Sequence, residues 1–413
     1  MASCSTLDLL SNLPENILES ILSRFSIRNV VRTSVLSSKW RYKWISVPHL
    51  FFEEDCIPLS TGSSGHDILV KIVNQVLLIH RGPIMTFRIS SSHLQTCSEI
   101  DNWILYLSLF NSVKDFKLLI LKSERHNVPP CFFSLRQLIH LTLSGCMIVH
   151  PVRFKGFSCL KCLIFGKVTL SNSTLECLVS TCPQLEILRL VDIDGPTHIE
   201  LSNPKLKYLM ICGKFIDICL KDLRTLVSAK FWATHPYPGQ RRTCEFTNIL
   251  GSLLGIQELS MHGWYLKSLA FGDVPRRLPF TYDHMKRLSF SLNEDMKEIL
   301  IAICLLKSSP ILQELEIQFR HGKEYAIVSF MDLQKAKDQL KCTFNKLRIV
   351  KISSLLGREF ELELIKFILA NSPVLETMNI SPSGNCIDKV LMLKELLRFK
   401  RASPQAEIVY LNL

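Results

Sequence analysis

The sequence predicts a mixed α/β chain. A small three-helix head comes first, followed by a solenoid of short repeats, each built on a strand with one buried face. Three observations carry this. Helix-spaced aliphatics and two tryptophans fill residues 11–48. One pattern (aliphatic, two residues, aliphatic, one residue, aliphatic) recurs from residue 84 to residue 380. With 413 residues, 47% of them hydrophobic, and a mean hydropathy of +0.20, the chain can build one large core or several ordinary ones. A long disordered protein is excluded by the same figures.

In the head, Pro14 stands where a helix begins, since its fixed φ and missing N–H cost nothing there. Ile17, Leu18, Ile21 and Leu22 follow at offsets of one and four. Val30 with Ser34, and Val31 with Val35, repeat the spacing in a second short helix. Ser37 or Ser38 can cap a third helix carrying Trp40 and Trp44. Three short helices cannot bury this much apolar surface alone. They either dock on the rest of the chain or complete their core with a partner helix. From Arg24 to Lys43 the segment holds Arg24, Arg28, Arg32, Lys39, Arg41 and Lys43 and no acid, so an acidic partner would be steered to it.

Residues 53–67 are polar and rich in Gly and Ser, and read as a linker in which Glu53-Glu54-Asp55 is a solvated run. Helical spacing returns in residues 67–80. The repeats then begin with Ile84/Phe87/Ile89, Val113/Phe116/Leu118, Leu138/Leu141/Leu143 and Leu160/Leu163/Phe165. They continue as Leu185/Leu188/Leu190, Leu206/Leu209/Ile211, a degraded Leu226/Ala229/Phe231 and Ile256/Leu259/Met261. Met285/Leu288/Phe290, Leu312/Leu315/Ile317, Leu347/Val350/Ile352 and Leu375/Met378/Ile380 complete the series. Successive units step by roughly 20–35 residues, mostly within or near the range of about 20–29 of leucine-rich repeats. One unit cannot bury its face, but a stack can. Pro183, Pro204, Pro310 and Pro373 each stand two residues before a first aliphatic, which is read as an extended approach to the strand. Three of the four follow aliphatic, helix-like runs.

The residues between the paired aliphatics form the exposed strand face: Thr142, Ile164, Arg189, Met210, Lys230, Ser260, Ser289, Glu316, Lys351 and Asn379. Arg189, Lys230 and Lys351 would make it mildly basic. After the degraded unit, Trp232, His235, Tyr237, Arg241 and Arg242 lie in a Pro/Gly-rich loop, a further candidate for binding a target.

No catalytic or metal site is expected, and no cofactor. Cys159 and Cys162 form a lone CxxC without a second ligand pair, and read as core packing. Cys182 reads as a buried repeat residue. HExxH, G-x-S-x-G and Walker A spacings are missing. The 15 scattered cysteines fit reduced thiols better than a disulfide framework, and no signal peptide or membrane span is legible. Nucleus and cytoplasm are therefore the expected compartments. The net charge of +12 leaves a nucleic-acid-binding repeat protein as a competing reading, although no aromatic and basic platform supports it.

Leu13, Pro14, Ile17, Leu18, Ile21, Leu22, Val30, Val31, Ser34, Val35, Leu36 and Trp40 together resemble an F-box, and Trp44 with the following Val-Pro-His-Leu resembles its plant branch. Ile27-Arg28-Asn29 departs from the Pro and acidic residue many plant members carry there. Leu78, His80–Ile84, Ile100–Ile104 and Phe154–Phe157, together with residues 344–380 and 398–411, resemble the plant F-box/FBD/leucine-rich-repeat proteins. The resemblance implies an F-box at 8–50, a linker and helix at 51–80, a leucine-rich-repeat horseshoe at 81–340 and an FBD region with a terminal cap at 341–413. It implies a non-catalytic substrate-recognition subunit of an SCF-type ubiquitin ligase. Leu13, Pro14, Ile17, Leu18, Ile21, Leu22, Val30, Val31, Val35, Leu36 and Trp40 would bind a Skp-type adaptor and, through it, cullin and RING subunits. The repeats would hold a target protein, and an F-box scaffold that delivers nothing for degradation is the alternative. Some plant hormone receptors resembling this architecture bind a small ligand in the horseshoe, but no anion cluster here argues for one.

Overall fold

The computed structural model describes residues 13–36, 40–57, 64–122, 124–196, 198–213, 217–232, 246–262, 265–266, 278–293, 296–321, 343–384 and 389–411. The chain divides into two compact units, Met1–Pro196 and Thr197–Leu413.

The N-terminal unit opens with α1 (Glu15–Leu22) and α2 (Ile27–Arg32), the latter running into a 3-10 turn at Thr33–Val35. The expected third helix is only a 3-10 turn, Lys43–Ser46, with Trp40 ahead of it. Val47 precedes Pro48, and its ψ of 121° is extended. A residue before proline is pushed out of the helical region, so the turn stops there. Ser37 and Ser38, the expected caps, lie outside the described residues.

Six parallel strands follow in this unit: β1 (His49–Glu53), β2 (Thr86–Ser90), β3 (Asp115–Leu119), β4 (His140–Ser144), β5 (Cys162–Gly166) and β6 (Ile187–Val191). They pair in chain order and in one continuous register. Helices α3 (Gly65–Ile79), α4 (Glu99–Phe110) and α5 (Asn172–Ser180) lie between strands. α3 and α5 fall on helical runs read from the sequence, whereas α4 was not read as a helix there. All three hydrophobic positions of each expected repeat in this unit are at most 3% exposed.

β1 lies partly where the sequence suggested a linker. Val47, Leu50 and Phe52 form a complete repeat, all at most 1% exposed. The acidic run after it is a fastening rather than a solvated stretch. Asp55 accepts hydrogen bonds from Ser26 Oγ at 2.5 Å and Asn29 Nδ2 at 2.9 Å, so it ties α2 to the first repeat. Glu54 accepts from Ser91 Oγ at 3.1 Å and from the Ser92 backbone N–H. Residues 58–63 of the Ser/Gly run lie outside the described residues.

The core of this unit carries a run of phenylalanine rings. Phe52, Phe87, Phe116, Phe132 and Phe157 follow one another at centroid distances of 5.7, 5.9, 5.4 and 6.0 Å. Offset and edge-on pairs at such spacing add about 0.5–1.5 kcal/mol beyond area burial.

Gly145, after β4, has a φ of +72°, and a Cβ there would sit 2.0 Å from the Ile120 carbonyl oxygen. Only glycine meets both demands. Gly145→Ala is expected to destabilise this unit by about 1–3 kcal/mol, read as a lower urea midpoint at unchanged slope.

In the C-terminal unit the strands are β7 (Tyr208–Cys212), β8 (Ser228–Trp232), β9 (Glu258–His262) and β10 (Arg287–Leu292), then β11 (Glu314–Phe319), β12 (Ile349–Leu355), β13 (Thr377–Pro382) and β14 (Glu407–Tyr410). They too pair in parallel and in sequence. Helices α6 (Phe246–Gly251), α7 (Met296–Lys307), α8 (Glu359–Asn371) and α9 (Lys389–Arg398) intervene. Every anchor triplet read from the sequence is again at most 4% exposed, including Leu226/Ala229/Phe231. The small Ala229 leaves that unit intact, and Tyr265 stacks on Phe231 at 5.2 Å.

The prolines act differently from the sequence expectation. Leu185, Leu206, Leu312 and Leu375 each donate an N–H to the carbonyl three residues back, at 3.1, 3.3, 3.2 and 3.4 Å. Pro183, Pro204, Pro310 and Pro373 are therefore second in four-residue turns, where a preset φ is wanted. They turn the chain into the strand rather than extend it.

Parallel sheets are ordinarily covered on both faces. In both units the strands instead alternate buried positions with half-buried or exposed ones, as in β6 and β11. This alternation separates a solenoid with one open sheet face from a doubly wound α/β sheet.

Two glutamates are fully buried at helix starts, Glu298 and Glu361, each 0% exposed. Glu298 accepts from the Asn293 backbone N–H at 2.7 Å. Glu361 Oε2 accepts from the N–H groups of Leu356, Gly357 and Arg358 at 3.0, 2.8 and 3.0 Å. Burial pushes the Glu361 carboxyl above the usual carboxylate range, against those donors and His321, which pull it down. A raised folded-state value means that its stabilisation is complete below the unfolded value and fades as pH rises through the folded one. Glu361→Gln keeps an acceptor for the three N–H groups. The stability of wild type relative to this variant should fall as pH rises from the acid side of the carboxylate range to neutral, measured by urea unfolding.

Candidate protein-docking surfaces

Helix α1 splits its aliphatics into two adjacent stripes. Leu18 and Leu22 point inward and form a small core with Val30, Trp40 and Val47, against which Leu13 and Trp44 pack. Val47 also anchors β1, so the head shares its interior with the first repeat. Ile17 on the other stripe is 42% exposed, and Ile21 is half-buried. Val31, Val35 and Leu36 are 38%, 87% and 55% exposed. Pro14 is exposed as well.

The eleven residues assigned to an adaptor thus divide. Leu18, Leu22, Val30 and Trp40 are interior and set the shape of the head. Leu13 is half-buried against that core. Pro14, Ile17, Ile21, Val31, Val35 and Leu36 supply its apolar surface. Phe25, 45% exposed in the turn after α1, belongs with them and was missed. Its position four residues after Ile21 was the available signal.

The basic character of the head is partly spent. Lys43 pairs with Glu15, and Arg28 donates to the Asp55 carbonyl. Lys39 lies outside the described residues. Arg24, Arg32 and Arg41 remain exposed, with no ion pair among the described residues.

The open sheet face offers the second surface. In the N-terminal unit its middle row runs Phe51, Arg88, Lys117, Thr142, Ile164, Arg189 in strand register. Arg88 is engaged by Asp115, with Nε to Oδ1 at 2.9 Å, and its guanidinium lies 5.6 Å from the Phe51 ring centroid. Arg189 is exposed and Lys117 half-buried, and neither forms an ion pair among the described residues.

In the C-terminal unit the corresponding row runs Met210, Lys230, Ser260, Ser289, Glu316, Lys351, Asn379. Lys351 is held by Glu314 at 2.5 Å. Arg287 stands between Glu258 at 3.3 Å and Glu314 at 3.9 Å. Lys351 is thus internally neutralised, and the expected basic face reduces here to Lys230. Trp232 closes β8, 41% exposed, with its Nε1 donating to Ser260 Oγ at 3.5 Å. His235, Tyr237, Arg241 and Arg242 of the expected loop site lie outside the described residues.

Among the described residues, no group of three or more His, Cys, Asp or Glu is placed to hold a metal ion. No helix among them is long and apolar enough to cross a membrane. Cys159 is exposed and Cys162 half-buried, so that pair splits across the surface rather than packing in the core. Cys182 is fully buried, which pushes its thiol up to about 11, a poor nucleophile.

A short helical head with an exposed aliphatic face, joined to parallel-strand repeats with an open sheet, defines a docking module on a leucine-rich-repeat solenoid. Comparison with known proteins gives the same division. Residues 10–52 match the F-box domain. Residues 100–317 match the repeats described as "FBD-associated F-box protein At5g56370, LRR repeats", and residues 338–380 match the FBD region. The F-box/FBD/LRR-repeat protein At1g13570 of Arabidopsis thaliana is 37% identical over 98% of this chain and 99% of its own length. The FBD-associated F-box protein At5g56370 of the same plant is 27% identical over 98% of this chain and 100% of its own length. The chain belongs to the F-box/FBD/leucine-rich-repeat family. Proteins of this family are in general non-catalytic adaptors, and their F-box generally binds a Skp-type adaptor.

Proposed function

We propose that this chain is a substrate-recognition subunit of an SCF-type ubiquitin ligase. Its head docks on a Skp-type adaptor, which joins it to cullin and RING subunits, and its repeats hold the target. One observation supports this most: Ile17, Val31, Val35 and Leu36 are exposed on helices whose neighbouring Leu18, Leu22 and Val30 are buried. An aliphatic stripe left open beside a complete core is what a partner helix needs. The chain would do no transfer chemistry. It would bring a target lysine near the charged conjugating enzyme and so raise its effective concentration. The compartments this calls for are the nucleus and the cytoplasm. The test is the affinity of the full-length chain for a purified Skp-type adaptor by calorimetry. Submicromolar binding supports the reading, and no heat of binding from a folded chain overturns it.

A further inference from the structure

In one row of the N-terminal unit's sheet face, two cations form no ion pair among the described residues. Lys117 on β3 and Arg189 on β6 are three strands apart, with Thr142 and Ile164 between them in register. Neighbouring strands lie about 4.8 Å apart, so the two positions are separated by about 14 Å. Arg88, the other arginine of this row, is held by Asp115. In the C-terminal unit Lys351 is likewise held, by Glu314. Among the described residues of this row, Lys117 and Arg189 are therefore the pair left available to an outside anion. Ile164 is half-buried, and Ile187, two residues before Arg189 on β6, adds apolar ground beside the row.

We propose that this row binds an extended acidic segment of a partner protein, laid across the strands, of the form acid-x-aliphatic-x-acid. An extended chain rises about 3.3 Å per residue, so residues i and i+4 are about 13 Å apart and point to the same side, with i+2 between them. Carboxylates at i and i+4 meet Lys117 and Arg189, and the aliphatic at i+2 rests over Thr142 and Ile164. A nucleic acid fits less well. Its affinity rests on many phosphate contacts or on stacking against aromatic side chains, and this row offers two free cations around a threonine and an isoleucine. The inference deepens the proposed role by naming the chemistry of the target.

The test uses the full-length chain and a fluorescein-labelled peptide, Asp-Ser-Leu-Ser-Glu flanked by Gly-Ser, followed by anisotropy. Wild type is expected to bind it, and Lys117→Ala/Arg189→Ala to bind about tenfold more weakly at an unchanged melting temperature. Lys230→Ala/Lys351→Ala should bind like wild type. Lys117→Glu/Arg189→Glu should prefer the charge-swapped peptide Lys-Ser-Leu-Ser-Lys, an exchange that loss of folding cannot produce. The inference is overturned if wild type does not discriminate the two peptides, or if the alanine double variant binds like wild type. It also falls if a single-stranded oligonucleotide displaces the peptide and binds more tightly. Adaptor capture is scored separately. A chain that captures the adaptor but ignores the peptide refutes only this inference, and the reverse result refutes only the ligase reading.

Discussion

Ile17→Asp/Val35→Asp should abolish capture of a Skp-type adaptor while leaving the melting temperature of the chain unchanged. Both side chains are exposed, at 42% and 87%, so neither change buries a charge in the free protein. In a complex each would press a carboxylate into an apolar interface. Hot-spot positions cost about 2 kcal/mol or more each, so the pair should weaken binding by about a thousandfold. Leu18→Ala/Leu22→Ala supplies the contrast. Those residues are 5% and 1% exposed within the head's own core, so their loss should melt the head first and lose binding as a consequence. The two variants are told apart by circular dichroism recorded beside the binding curve. If the exposed pair can be charged without loss of binding, the adaptor does not use this face.

Phe116→Ala is expected to be the most damaging single change in the N-terminal unit. The ring is 1% exposed and contacts Phe87 at 5.9 Å and Phe132 at 5.4 Å. Emptying such a site costs about 3–5 kcal/mol. A whole domain is stable by only about 5–15 kcal/mol. Phe116 also sits in an interior repeat, so its loss weakens two repeat interfaces. Ile408→Ala, in β14, touches one neighbouring strand through Met378 and is half-buried, so it should shift the urea midpoint far less. Equal shifts from the two would contradict a nearest-neighbour solenoid.

The repeats were legible because burial in a solenoid is local and periodic. Each unit must place aliphatics at the same three positions, and all the units read from the chain do so. The first repeat, Val47/Leu50/Phe52, escaped because Pro48 interrupts it and an acidic run follows. That run looked solvated, whereas Asp55 and Glu54 are hydrogen-bonded across 26–37 residues of sequence, to Asn29, Ser26 and Ser91. Sequence distance of that size carries no periodic signal. The prolines were visible, but their role was not, because the same residue serves an extended approach and the second place of a turn equally well.

In the head, spacing placed Ile17, Leu18, Ile21 and Leu22 together but did not say which stripe faces in. That depended on Trp40 and Val47, which arrive from outside the two helices and cover Leu18 and Leu22. The charges show the same limit. The sequence supplied a basic balance and the strand positions of Arg189, Lys230 and Lys351. Pairing between strands decided which of them is free, because Glu314 is brought to Lys351 across 37 residues. The sequence by itself determined the architecture and the family, since both rest on local pattern. Only the tertiary structure decided which aliphatics and which cations remain for a partner, since that depends on what distant segments have already claimed.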